Sequence, residues 1–185
     1  MLPVAVDAMG GDHAPDAIVD GARQAAESGT PVVLVGPADL PDRVDTGGLP
    51  LIEASEVIGM DDDPAAAVRR KKDSTLVRAA EAVRDGAASA MVSAGNTGAT
   101  MASALLRMGR IRGVGRPAIA TIIPVPGGRP TVLLDAGANA EVQADWLAQF
   151  AQMGAVFARN RRSGCSRSAR SPARATRSAR RPSGC

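Results

Sequence analysis

The chain of 185 residues is long enough for one domain with a sizeable core, but it has only two Phe, one Trp and no Tyr. Aliphatic residues and Met must therefore fill that core. The sequence has no apolar run of about 18 residues, and its N-terminus lacks the basic start of a secretory signal. We therefore expect neither a membrane-spanning helix nor secretion, but a cytoplasmic protein.

The formal net charge of +3 averages two unlike segments. Nine of the 22 basic residues and no acidic residue lie in residues 159–185, which leaves 13 basic and 19 acidic residues, hence a charge of −6, in residues 1–158. Both cysteines, Cys165 and Cys185, also lie in the basic segment. We therefore predict an acidic folded part at 1–158 and a low-complexity basic tail at 159–185, with no cysteine nucleophile or metal ligand set in the folded part.

Strands and helices are predicted to alternate along the chain. Apolar runs predict strands at 3–7, 32–36, 51–52, 90–94, 117–123 and 131–135. Apolar residues at helical spacing predict helices at 14–29, 61–72, 74–86, 97–108 and 142–157, and residues 37–50 are predicted as loop. This alternation predicts an α/β fold with three layers, α/β/α, around a mostly parallel, Rossmann-like sheet. In the last helix, the apolar stripe from Val142 through Trp146, Phe150, Met153 and Phe157 is typical of core or of a subunit interface.

The turn between the strand at 90–94 and the next helix is a candidate anion site. Asn96 is suited to cap the helix, and the amides of Thr97, Gly98 and Ala99 then lack partners inside it. Free amides at the positive end of a helix bind phosphate, and Gly98 has no Cβ to keep a ligand oxygen away. The alternative is an ordinary turn between strand and helix that binds nothing.

Three predicted strands end in polar turns that contain glycine: residues 7–12, 93–98 and 135–139. Ligands of parallel α/β sheets bind beyond the carboxyl ends of the strands. We therefore expect the three turns to meet at one edge of the sheet.

Six short segments carry a resemblance to a known family. In chain order they are Asp7–Pro15, Lys71–Ser74, Val92–Ala99, Arg116–Ile119, Leu134–Asn139 and Gln149–Gly154. They resemble the bacterial phosphate acyltransferase (PlsX) family over residues 3 to about 158. The resemblance implies transfer of a fatty acyl group from acyl carrier protein to inorganic phosphate, giving acyl phosphate for phospholipid (phosphatidic acid) synthesis without a cofactor. It also implies a homodimer attached peripherally to the inner face of the membrane.

The resemblance ends near Arg159, and members of the family are about twice as long, so the sheet is expected to be incomplete. A frameshift accounts best for the Arg-, Ser- and Ala-rich residues that follow. The alternative is a disordered basic tail that binds nucleic acid or anionic membrane. Two further hypotheses stay open: an inactive truncated fragment, and a phosphate- or nucleotide-binding module with a nucleic-acid-binding tail. No base-reading motif supports nucleic acid as a partner.

The implied reaction needs anion binding and oxyanion stabilisation rather than an activated nucleophile, because phosphate is itself a nucleophile. Asn96, Lys72 and His13 are the candidate catalytic residues; His13 could protonate the leaving thiolate, or it is structural or solvated. The candidate phosphate- and substrate-binding residues are Gly10, Gly11, Asp12, Ser74, Ser93, Gly95, Asn96, Thr97, Gly98, Asp135, Gly137 and Asn139. Asp7 and Asp135 would repel phosphate unless they orient a donor, and the alternative is that each caps its own turn.

Arg107, Arg110, Arg112 and Arg116 form a basic loop after the helix at 97–108. Acyl carrier proteins are acidic, so this loop is a candidate docking surface for the carrier. The alternative is a solvated surface without a partner.

Overall fold

The first 117 residues form a four-stranded parallel sheet covered by helices on both faces. The structure, a computed structural model, describes residues 1–139 and 141–168. In this first unit the strands are β1 (Val4–Asp7), β2 (Val32–Gly36), β3 (Leu51–Glu53) and β4 (Ala90–Val92), in the order β3-β2-β1-β4. The helices are α1 (Asp16–Glu27), α2 (Leu40–Arg43), α3 (Pro64–Arg70), α4 (Thr75–Arg84) and α5 (Thr97–Arg107).

Alternate residues of β2 enter two different cores, which explains why its sequence is apolar throughout. Val33 and Val35 pack with Ala5, Ala79 and other small residues on the α4 side. Val32 and Leu34 pack with residues of α1 and α2 on the opposite side. Residues 1–117 thus have the predicted α/β/α layers. The α2 turn is an addition, since residues 37–50 were predicted as loop.

A third core joins α3, α4 and α5. It contains Val68 of α3, Leu76 and Val77 of α4, and Ala99 of α5, all buried. Because α5 begins directly after β4, this core fixes the start of α5 at the carboxyl end of the sheet. The same end carries the turn that follows β1, the neighbouring strand.

The second unit begins at residue 118 and contains a hairpin and a helix. The hairpin consists of β5 (Ala120–Ile123) and β6 (Thr131–Leu134), which pair antiparallel, and α6 (Ala144–Ser168) packs on β6. The expectation that β6 lies in the parallel sheet is therefore wrong. The seven residues between β5 and β6 are too few for the crossover that parallel neighbours require, but they suffice for a hairpin.

The apolar stripe of α6 is only partly buried. Phe150 is 2% exposed, whereas Val142, which precedes the helix, is 40% exposed and Phe157 is 38% exposed. The helix continues to Ser168, into the segment for which a disordered or frameshifted tail was predicted. Residues 169–185 of that tail prediction lie outside the described residues. Within residues 1–139 and 141–168, no helix is long and apolar enough to cross a membrane.

Candidate functional site

The turns that follow β1 and β4 are joined by one hydroxyl group. Ser93 Oγ donates a hydrogen bond of 2.7 Å to Asp7 Oδ2 and accepts one of 3.0 Å from the Gly95 amide. The other carboxylate oxygen of Asp7 accepts from the Met9 amide at 3.1 Å. Asp7 is only 2% exposed, so these donors satisfy a carboxylate that water hardly reaches. The structure thus brings together the first two of the three predicted turns.

Two glycines allow this close approach. A Cβ on Gly10 would lie 2.5 Å from Ser93 Oγ and 2.6 Å from Asp7 Oδ2. A Cβ on Gly95 would lie 3.1 Å from the Gly10 Cα. Gly11, next to them, has φ +107°, a conformation that side chains disfavour. The predicted binding residues Gly10, Gly11, Ser93 and Gly95 therefore form one packed cluster, which we call the Gly10–Gly95 cluster.

Asn96 caps α5, as predicted, and also holds a distant loop. Its Oδ1 accepts from the Ala99 amide at 3.0 Å. Its Nδ2 lies 3.3, 3.1 and 3.2 Å from the carbonyl oxygens of Gly59, Met60 and Asp62. Because Asn96 is 7% exposed and both of its polar atoms are engaged, its contribution to a site is to place the start of α5 rather than to offer a free amide.

The first amides of α5 remain available to a ligand. Ala99 and Thr100 donate to Asn96, whereas Thr97 and Gly98 occupy the first two helical positions, where no carbonyl of the helix can accept. Thr97 is exposed. The missing Cβ of Gly98 serves packing, because a Cβ there would lie 2.7 Å from Pro64 Cγ, at the start of α3.

Lys71, which sequence reasoning missed in favour of its neighbour Lys72, is the lysine tied to this region. Its Nζ donates to Asp62 Oδ2 at 2.7 Å and to the Val57 carbonyl at 2.8 Å. The hydrogen bond from Lys71, followed by that from the Gly59 amide, holds the pKa of the Asp62 carboxyl below its usual range. Lys72 is exposed. The sequence did carry a signal for an ion pair here, because three acids at 61–63 are followed by four basic residues at 69–72. Spacing alone, however, does not show which of the two adjacent lysines forms the pair.

Ser74 lies where a dissolved anion does not reach it. It is 0% exposed, and its Oγ has no hydrogen-bond partner among the described residues. Its neighbour Asp73 is bonded to Ser55 and Arg78, and hydrogen bonds from Ser55, then from Arg78, lower the pKa of the Asp73 carboxyl to about 2. This part of the Lys71–Ser74 segment therefore builds the fold. At the other turn, Asp12 and His13 are exposed.

Asp135 caps its own turn within the second unit. It accepts from the amides of Ile119, Ala138 and Asn139 at 2.8, 3.2 and 2.9 Å, and from Asn139 Nδ2 at 2.9 Å. Burial alone would raise the pKa of the Asp135 carboxyl, but the hydrogen bonds, that from Ile119 first, outweigh it and lower the pKa. Gly137 in this turn has φ +102°. Because β6 belongs to an antiparallel pair, the rule for parallel strands does not place this turn with the other two.

The arginine loop after α5 mixes charge with exposed apolar side chains. Arg107 lies 3.8 Å from Glu81, and Arg110 Nη1 donates to the Gly115 carbonyl at 2.6 Å. Arg112 and Arg116 are exposed. In the same stretch, beginning one residue before Arg107, the apolar residues Leu106, Met108 and Ile111 are 47%, 39% and 76% exposed. We call residues 106–116, which are the last two residues of α5 and the segment that follows it, the arginine loop.

The described residues of the first unit offer amides, hydroxyls and cations, the groups that bind an oxyanion. Among residues 1–139 and 141–160, no group of three or more His, Cys, Asp and Glu side chains is placed to hold a metal ion. The Gly10–Gly95 cluster lies next to the first turn of α5, at the positive end of that helix.

Comparison with known proteins decides the family. A sequence profile described as "Fatty acid synthesis protein" matches residues 2–171. The chain belongs to this family. A protein of Pelotomaculum thermopropionicum named phosphate acyltransferase is 52% identical over 165 residues, covering 85% of this chain and 48% of that protein. A protein of Heliobacterium modesticaldum, also named phosphate acyltransferase, is 51% identical over 166 residues, covering 85% of this chain and 49% of that protein.

A third relative of the same name, from Desulforamulus reducens, is 49% identical over 164 residues, covering 85% of this chain and 49% of that protein. These matches confirm the resemblance to the PlsX phosphate acyltransferases. The chain spans about half the length of the curated relatives it matches. Each relative's name therefore describes a longer protein, and this chain corresponds to one region of it.

Proposed function

We propose that this chain supplies the phosphate-binding part of an acyltransferase that moves a fatty acyl group from acyl carrier protein to inorganic phosphate. The observation that carries the proposal is the 2.7 Å bond between Ser93 and Asp7, which holds two glycine turns against each other at the carboxyl edge of the sheet. The free amides of Thr97 and Gly98 begin α5 at the same edge. Family membership adds that the relatives are named phosphate acyltransferase.

In the proposed reaction a phosphate oxygen attacks the thioester carbonyl. A C–O bond forms, the C–S bond breaks, and the carrier leaves as a thiolate that takes up a proton. The amides at the start of α5 would hold the phosphate, and Asn96 would place them. The exposed side chains of Lys72 and His13 are the proposed cation and proton donor. No cofactor enters this step.

The arginine loop is the proposed docking surface for the carrier. Arg112 and Arg116 are exposed, and an acidic carrier would be attracted to them before its acyl thioester reaches the turns. The exposed Ile111 gives the loop an apolar centre that an acidic protein could cover. The acyl phosphate product would serve phospholipid synthesis. The same proposal includes that the acyltransferase is a cytoplasmic homodimer attached peripherally to the inner face of the membrane.

The second candidate is a fragment that binds phosphate without turnover, for which the amides at the start of α5 suffice. Two measurements on the 185-residue chain separate the candidates. Calorimetric titration with inorganic phosphate measures binding, and phosphate-dependent release of carrier thiol from acyl–acyl carrier protein measures transfer. Transfer that requires phosphate supports the enzyme, and binding without thiol release supports the fragment. Absence of phosphate binding in wild type would overturn both.

A further inference from the structure

An apolar groove of about 440 Å³ lies beside β1 on the α1 side of the sheet. Its walls include Val4 and Val6 of β1, Val92 at the end of β4, and Ile18, Gly21 and Ala25 of α1. The only polar side chain in its lining is that of Thr30. The groove is therefore suited to an apolar ligand.

The groove follows the strands and begins at the candidate site. α1 runs against the direction of β1, because it starts after the carboxyl end of β1 and leads back to the start of the parallel strand β2. Val6 and Val92 are paired in the sheet, and each directly precedes a residue of the Asp7–Ser93 hydrogen bond. Val4 and Ala25 lie at the far end. The α1 wall from residue 17 to residue 25 is about 12 Å long, at 1.5 Å per residue.

Two features keep the groove open. Val92 is 54% exposed, since β4 is an edge strand and the structure places no helix over its α1 face among the described residues of the first unit. Gly21 lies within α1, where alanine is more favourable, and a Cβ built on it meets no atom within 4 Å. The absent side chain of Gly21 thus leaves the middle of the groove empty.

We propose that this groove holds the hydrocarbon chain of a linear acyl group whose carbonyl lies at the Ser93–Gly95 turn. The inference rests on the proposed function, because that function places an acyl thioester at the turn. A chain attached there meets the apolar lining of the groove where Val6 and Val92 pair at its opening. Burying each further methylene of the chain tightens binding about fourfold until the groove is full.

The test uses displacement of the fluorescent fatty acid cis-parinaric acid from the 185-residue chain by saturated fatty acids of 6 to 16 carbons, below their aggregation limits. In wild type, affinity is expected to rise with chain length. The variant Gly21→Leu fills the middle of the groove, so hexanoic acid should bind within twofold of wild type and the longer acids should lose at least tenfold. Gly21→Ala is the matched control and should retain the dependence on chain length.

A second pair of variants covers the case in which Gly21→Leu does not fold. Val92→Asp places a charge at the opening of the groove and should weaken all chain lengths at least tenfold. Leu2→Asp, an equivalent change at a residue 50% exposed outside the groove, should not. The proposal would be overturned if fatty acid affinity depended on chain length in Gly21→Leu as it does in wild type. It would also be overturned if Val92→Asp and Leu2→Asp weakened fatty acid binding equally. Phosphate-dependent thiol release is measured separately. Thiol release by a chain whose Gly21→Leu and Val92→Asp variants bind fatty acids as wild type does refutes the groove alone. Fatty acid binding that depends on these residues, without thiol release, refutes the proposed function alone.

Discussion

Ser93 Oγ lies 2.7 Å from Asp7 Oδ2, and the bond joins residues that are 86 positions apart in the chain. The hydroxyl donates its one proton to Asp7, so its lone pairs remain free to accept the Gly95 amide. Asp7 thereby orients the Ser93 hydroxyl, which in turn holds the Gly95 amide in the turn after β4. Both carboxylate oxygens of Asp7 accept hydrogen bonds from groups within the fold, which is how a carboxylate is accommodated beside the proposed anion site.

Ser93→Ala should therefore destabilise the first unit. The substitution removes the Asp7 partner and leaves a 2% exposed carboxylate with the Met9 amide as its remaining hydrogen bond. A loss of about 1–3 kcal/mol in the free energy of unfolding is expected. Urea unfolding followed by circular dichroism measures it. Ser89→Ala is the control, since the Ser89 hydroxyl is exposed and bonds to backbone carbonyls, and a change as large as that in Ser93→Ala would contradict the argument.

Gly10→Ala should separate the two turns. The new Cβ would lie 2.5 Å from Ser93 Oγ, so the serine or the backbone must move, at a cost of about 1–3 kcal/mol. Phosphate affinity, measured by calorimetric titration, should fall at least tenfold. Gly21→Ala introduces the same methyl group where no atom lies within 4 Å, and it should stabilise α1 by up to about 1 kcal/mol. Wild-type phosphate affinity in Gly10→Ala would show that the packing of the turns does not govern binding.

Sequence patterns predicted the layers of the first unit because the buried strands are continuous apolar runs and the helices have one apolar face. They could not predict the partners of Asn96, since the three groups facing it are backbone carbonyls that lie 34–37 positions earlier, and no residue type marks a carbonyl as a partner. They also could not choose Lys71 over Lys72, because that choice depends on where Asp62 lies in space. The antiparallel pairing of β6 was predictable in principle from its short connection.

Asn96→Asp should distinguish the two functions of that side chain. The carboxylate can still accept from the Ala99 amide and cap α5, but it has no proton for the carbonyls of Gly59, Met60 and Asp62. Hydrogen exchange of the amides at 57–63 should become faster while exchange within α5 changes little. Asn96→Ala, which also removes the cap, should accelerate both regions. Protection at 57–63 that survives Asn96→Asp would show that Lys71 alone holds the loop.

The contacts of Asp73 should persist to a lower pH than those of a carboxylate with an ordinary pKa. Its folded-state pKa, about 2, is depressed from the ordinary 3.8, so its contribution to stability is present above about pH 4 and disappears as the pH falls toward 2. Asp73→Asn should therefore lower the melting temperature at pH 6, and the difference from wild type should shrink below pH 4. Asp61→Asn, at an exposed residue of the 57–63 loop, is the control. A difference that persists unchanged at pH 2.5 would rule out the charge of Asp73 as its source.

Reversing charge in the arginine loop should weaken binding of an acidic carrier through its rate of association. Arg110→Glu combined with Arg112→Glu should lower the association rate for acyl carrier protein at least tenfold at low salt, and the deficit should narrow as added salt screens the charges. Ile111→Ser should instead raise the dissociation rate at every salt concentration, because Ile111, 76% exposed, would be covered only in the complex. The matched control reverses Arg69 and Arg129, which are exposed elsewhere and give the same change in net charge. Equal losses in the two double variants would mean that net charge, rather than the loop, attracts the carrier.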